Sequence, residues 1–132
     1  MEITIKVSEH TYVVSCKNPD GKTVYHWNAL RKQFNVGISI DGGEPKVFSY
    51  YDSHANFPCH ITDEGLKSAL WCIASDAMSY ETSESFEDFT RELGFATDKE
   101  AENIYKSCKD YYNFFESYGV DLFELTEYLD EI

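Results

Sequence analysis

Basic residues are scarce in this chain: eleven Lys and Arg stand against twenty-four Asp and Glu, a net charge of −13 in 132 residues. That deficit excludes a general nucleic-acid binder. No basic stripe with interleaved aromatics is present, and the net field repels phosphates and anionic membrane surfaces. Long apolar runs are missing too, and nothing approaches the roughly 18 apolar residues that a membrane-spanning helix needs. Met1-Glu2-Ile3-Thr4-Ile5 has neither the basic segment nor the apolar core of a secretion signal, and reads as the start of a strand. The four cysteines, Cys16, Cys59, Cys72 and Cys108, form no CxxC pair. Their spacing argues against a zinc ribbon or dithiol centre and fits a reducing compartment. The four histidines, His10, His26, His54 and His60, make no HxH, HExxH or HxxxH spacing. Gly42-Gly43 fails the GxxxxGK pattern of a phosphate loop, and no DxDxDG calcium loop occurs.

What is present is apolar enough to fold and is lopsided in charge. A content of 42% hydrophobic residues, with ten Tyr, nine Phe and two Trp, is too rich for a disordered acidic tail. One domain over 1–132 is expected from this length. Residues 1–60 hold six acids and six bases and sum to zero; residues 61–132 hold the other 18 acids against five bases and carry all of the −13. Solubility accounts for acidity as such, but it does not require the acid to collect at one end.

The neutral half reads as β. Ile3, Ile5 and Val7 alternate with polar residues, Tyr12 to Cys16 follows a short break, and Thr23 to Trp27 continues after the turn Asn18-Pro19-Asp20-Gly21. Phe34 to Ile40 and Lys46 to Tyr51 flank Asp41-Gly42-Gly43-Glu44-Pro45, a hairpin signal. Arg31-Lys32 reads as a strand-end feature, and residues 53–60, with Pro58, read as a linker. Four or five antiparallel strands are expected.

The acidic half, 61–132, reads as four helices, each with its own cap. Thr62 caps the first, whose stripe is Leu66, Ala69, Leu70, Ile73, Ala77 and Met78; Ser85 with Asp88 opens the second, with Phe86, Phe89 and Leu93 inward and Gly94 at its end. Thr97 with Glu100 opens the third, striped by Ala101, Ile104, Tyr105, Cys108, Tyr112 and Phe115 and stopped by Gly119. Asp121 with Glu124 opens the last, with Leu122, Leu125, Leu129 and Ile132 on one face. The expected fold is α+β, an N-terminal antiparallel sheet followed by four helices packed on it.

Removing these stripes leaves a set of carboxylates to face outward: Asp76, Glu84, Glu87, Asp88, Glu92, Glu100, Glu102, Glu116, Glu124 and Glu127, with Asp130 and Glu131 beyond them. Carboxylates at i, i+3 and i+4 on a helix lie about 5–6 Å apart. Successive phosphates on a duplex strand lie at about 7 Å, so acidic helices approximate a phosphate track. Any one of these acids alone reads as a solvated helix face. Trp71 lies off the main stripe of its helix, either against the sheet or at an interface. Of the aromatic pairs Tyr50-Tyr51, Tyr111-Tyr112 and Phe114-Phe115, one member each is expected in the core and the other at the surface. His54, Cys59 and His60 lie together in the linker and make a three-donor zinc candidate of irregular spacing. An ordinary loop is the stronger expectation there, with no metal and no cofactor.

Leu66 to Lys109 resembles a segment of small uncharacterised proteins of tailed bacteriophages. The residues that carry it are Ala69-Leu70-Trp71-Cys72, Ser75-Asp76-Ala77, Ser85-Phe86-Glu87-Asp88-Phe89, Glu92-Leu93-Gly94-Phe95 and Ala101 through Cys108. The resemblance covers about a third of the chain. It implies an origin, a small acidic protein made in the cytoplasm of an infected bacterial host, and carries no catalytic residue. Its company implies a non-enzymatic inhibitor of a basic nucleic-acid-binding host protein, first a CRISPR-Cas effector (an anti-CRISPR acting as a DNA mimic) and second a restriction enzyme. The β half is then scaffold, homodimer interface or target-choosing surface. Two other classes stay open: a structural or housekeeping phage protein whose acidity serves solubility alone, and a small metal-dependent hydrolase built on His54, Cys59 and His60.

Overall fold

The computed structural model describes residues 1–26, 29–52, 61–93 and 99–131. The linker with His54, Cys59 and His60, the Thr97 cap, the Gly94 stop, Trp27 and Ile132 lie outside the described residues. Within them the chain is α+β, five strands followed by four helices: β1 (Glu2–Val7), β2 (His10–Cys16), β3 (Lys22–His26), β4 (Ala29–Ile40), β5 (Lys46–Asp52), α1 (Asp63–Thr82), α2 (Phe86–Leu93), α3 (Lys99–Ser117) and α4 (Leu122–Glu131). No helix among the described residues is long and apolar enough to cross a membrane. Two compact units divide the chain, Met1–Leu70 and Trp71–Ile132. The division falls inside α1, ten residues beyond the change in charge and composition at residue 60.

In the first unit every strand pairing is antiparallel. β4 organises the sheet. Val36 to Ile40 pair with β2 and Ala29 to Gln33 pair with β3, while Lys32 to Ile38 pair with β5 along the opposite edge. Arg31 and Lys32 thus lie inside a strand, opposite Val24 and Thr23, and not at a strand end. The stretch from Ala29 to Gln33 lacks period-2 alternation, so only its partner strand reveals it as β. From Phe34 onward alternation governs. Phe34, Val36, Ile38 and Ile40 are buried together with Ile5, Val7, Tyr12, Val14, Cys16 and Phe48. Thr4, Lys6, Asn35 and Ser49 of the other face are exposed, so a one-residue slip would expose the whole core face. Asp41 and Gly42 both take positive φ, 53° and 74°, with Gly43 N–H donating to the Ile40 carbonyl at 2.9 Å. This is the primed turn that Asp-Gly favours. The first turns of α1 belong to this unit and bury Leu66, Ala69 and Leu70. Thr62 caps them, accepting the Gly65 N–H on Oγ1 at 3.2 Å.

In the second unit the capping signals hold where they are described. Ser85 Oγ accepts the Asp88 N–H at 3.1 Å, and Asp121 Oδ1 accepts the Glu124 N–H at 3.2 Å. Gly119 ends α3 at φ 68°, with Val120 N–H donating to the Phe115 carbonyl and Gly119 N–H to that of Glu116. That pair of bonds is a Schellman closure, and Val120 and Phe115 are both buried beside it. A Cβ at Gly119 would meet nothing within 4 Å, so only backbone strain opposes a side chain. Gly119→Ala is therefore expected to cost about 1 kcal/mol, seen as a lower urea midpoint with an unchanged slope. The buried set Ile73, Ala74, Ala77, Phe89, Ala101, Cys108, Phe115, Leu122 and Leu125 follows the stripes and adds Ala74. The expectation for the aromatic pairs is corrected: Tyr50, Tyr51, Tyr111 and Tyr112 are all half-buried, and Phe114 is buried along with Phe115, its ring edge-on to Phe115 and to Tyr118, each at 5.6 Å. Tyr118, one turn further on, supplies the ring partner that a single stripe does not foresee.

Candidate partner-binding surface

The second unit holds sixteen acids against four bases, a net −12, so the charge belongs to its helices. Glu84, Glu87, Glu102, Glu116, Glu124 and Glu127 are exposed, as are Asp130 and Glu131. The carboxylates of Glu84, Glu87, Glu102, Glu124 and Glu127 make no ion pair among the described residues. The side chains of Glu92 and Glu100 lie outside the described residues. Three of the helices also place acids where the helix dipole disfavours them. Glu81 ends α1, Glu116 ends α3, and Asp130 and Glu131 end α4, with no base in any of these last turns. An acid at a helix C-terminus is typically unfavourable by about 0.3–1 kcal/mol. These positions therefore reduce helix stability rather than add to it.

Two expected site residues have other work. Asp88 is half-buried, accepts the Glu84 N–H at 3.3 Å, and lies 3.8 Å from Arg91, so it closes the N-terminus of α2. Asp76 is set apart by its carboxyl, which burial pushes up to about 6. The Cys108 thiol is pushed up to about 12, by burial first and then by the Asp76 charge. Asp76 keeps exposed surface, and solvent screening tempers what its shift does to stability. The sign is still fixed. Because the folded value lies above the ordinary 3.8, the stabilising contribution is full below that value and is lost as pH rises toward about 6. Asp76→Asn is expected to melt higher than the parent at pH 8, with the gap closing near pH 3.5. Paired thermal melts at the two pH values check this. Trp71 is half-buried, and its indole Nε1 is buried with no hydrogen-bond partner among the described residues.

A second polar arrangement, absent from the sequence reading, lies in the first unit. His10 Nδ1 is 2.6 Å from Asp41 Oδ2, and the Thr11 N–H donates to Asp41 Oδ1 at 2.8 Å. The Asp41 N–H returns a bond to the Thr11 carbonyl at 2.8 Å. The Thr11 N–H, and then His10, hold the Asp41 carboxyl below its usual range. Imidazole and orienting carboxylate are two parts of general-base chemistry, and here they tie the start of β2 to the turn after β4. The only signal for it is the β2–β4 register, Tyr12 opposite Ile40, which brings Asp41 beside Thr11. No group of three or more His, Cys, Asp or Glu among the described residues is placed to hold a metal ion. Cys16, Cys72 and Cys108 are free thiols. No protein-family model, no curated protein and no solved structure matches the chain.

Proposed function

We propose that this protein is a non-enzymatic inhibitor that sets its acidic helical unit on the basic channel of a nucleic-acid-binding host protein, in the cytoplasm of an infected bacterium. A CRISPR-Cas effector is the first candidate target and a restriction enzyme the second. The observation that carries this reading is the exposed carboxylates Glu87, Glu102, Glu124 and Glu127 on α2, α3 and α4, which make no ion pair among the described residues, together with the acids Glu116, Asp130 and Glu131 set against the helix dipoles. A surface acidic only for solubility has no reason to accept that loss. Inhibition is competitive: carboxylates occupy Lys and Arg positions that otherwise hold phosphate, so protein and nucleic acid exclude one another.

The test is a displacement titration. Increasing amounts of the full chain are added to a purified effector or restriction enzyme with labelled duplex DNA, at several salt concentrations. DNA is expected to be released, with association slowing as salt rises and dissociation changing less. The protein alone is expected to leave DNA mobility unchanged. A ternary complex that retains the DNA, or salt-sensitive micromolar binding of DNA by this protein itself, overturns the reading.

A further inference from the structure

Three half-buried tyrosines form a ladder in the second unit. Tyr80 of α1 lies 5.4 Å from Tyr105 and 5.4 Å from Tyr112, both on α3 and two turns apart. Phe86 and Phe89 of α2 meet Tyr105 edge-on at 5.2 and 5.1 Å. Fully buried Phe89 shows what a core ring looks like here, whereas the tyrosines keep part of their surface in water. Carboxylates flank the Tyr112 end: Glu116 follows Tyr112 by one helical turn, and burial, then the charges of Glu116 and Glu81, push the Tyr112 hydroxyl up. One base, the exposed Lys109, lies between Tyr105 and Tyr112 in the i, i+4, i+7 row of α3.

Tyrosine faces attract cations, and a flanking carboxylate adds charge complementarity to the same spot. Arginine and tyrosine are also the residues in which interface binding energy concentrates. We propose that this tyrosine ladder, with Glu81 and Glu116 beside it, is where an arginine side chain of a basic partner protein docks. The inference rests on the acidic-surface reading above and makes it specific: the other carboxylates steer, and the ladder anchors.

The experiment titrates the full chain with a short glycine peptide bearing two arginines, and with the same peptide bearing citrulline, which keeps the shape and lacks the charge. Nuclear magnetic resonance follows the tyrosine ring signals and calorimetry gives the affinity. The arginine peptide is expected to move the signals of Tyr80, Tyr105 and Tyr112, and the citrulline peptide to leave them in place. Tyr80→Leu is expected to weaken the arginine peptide roughly three- to tenfold. Should that variant fail to fold, Lys109→Glu decides, because it keeps every ring. Lys109→Glu is expected to tighten binding more than Lys106→Glu, a change of equal charge on the same helix. Equal effects at the two lysines, or a folded Tyr80→Leu with unchanged affinity, overturn the anchor. If the double variant Glu127→Lys, Asp130→Lys still weakens binding in that case, the acidic-surface reading stands without it. If that double variant also leaves binding unchanged, both fail.

Discussion

Reversal of Glu102, Glu127 and Asp130 together to lysine is expected to remove the displacement of DNA from the target, whereas reversal of Glu2, Asp20 and Glu44 is expected to leave it nearly intact. Both triples change the net charge equally, and all six residues are exposed. The helical triple avoids groups that hold the fold. Asp88 closes the start of α2, and Glu116 lies one turn from Tyr112, on whose hydroxyl its charge acts. An exposed carboxylate contributes under about 1 kcal/mol, so single reversals change little. Three reversals, acting on encounter as well as on the complex, are expected to weaken binding roughly tenfold to a hundredfold at low salt. Reversal of Asp130 also removes an acid from the last turn of α4, so the loss comes without a loss of helix stability. Binding curves for both triples, after circular dichroism confirms their folds, give the comparison. A larger loss from the Glu2, Asp20 and Glu44 triple would move the site to the β half.

The largest expected stability effect is at Phe115. Its side chain is 0% exposed, at the end of α3 where the Schellman closure also takes its carbonyl. Phe115→Ala leaves a cavity and loses the ring contact with Phe114, a change worth about 3–5 kcal/mol. That is a large part of a whole domain's stability of about 5–15 kcal/mol. Phe123, also a phenylalanine, is 62% exposed on α4, and Phe123→Ala is expected to stay within about 0.5 kcal/mol. Urea unfolding of the two variants side by side measures the difference. Similar midpoints for both would mean that the buried ring contributes no more than the exposed one.

The helical unit was the more legible part in sequence because its signals are local. The Thr62, Ser85 and Asp121 caps and the Gly119 stop each depend on residues within one or two turns, and each is found in place. The sheet core was legible for a similar reason, since alternation from Phe34 to Ile40 needs no partner to be seen. Where a neighbour strand decides, sequence is silent. Ala29 to Gln33 becomes β by pairing with β3, and His10 meets Asp41 through the β2–β4 register. The acidic surface was legible as charge and periodicity but not as division of labour. Asp76 and Asp88 look like their exposed neighbours on a helical wheel; the crowding of one carboxyl and the capping duty of the other become visible only in three dimensions.

The way β4 takes its partners also sets the order in which the sheet can assemble. β1–β2, β3–β4 and β4–β5 are each formed between chain neighbours, and hairpins of this kind form in roughly 1–10 μs. Among the described residues β2–β4 is the pairing that skips a strand, and its nearest pair along the chain is Cys16 opposite Val36. The entropic cost of closing that loop falls on a single seam. The long-range contact that unites the sheet is thus the seam where Val14 faces Ile38, both buried, and on this topology it is expected to close after the hairpins on either side of it.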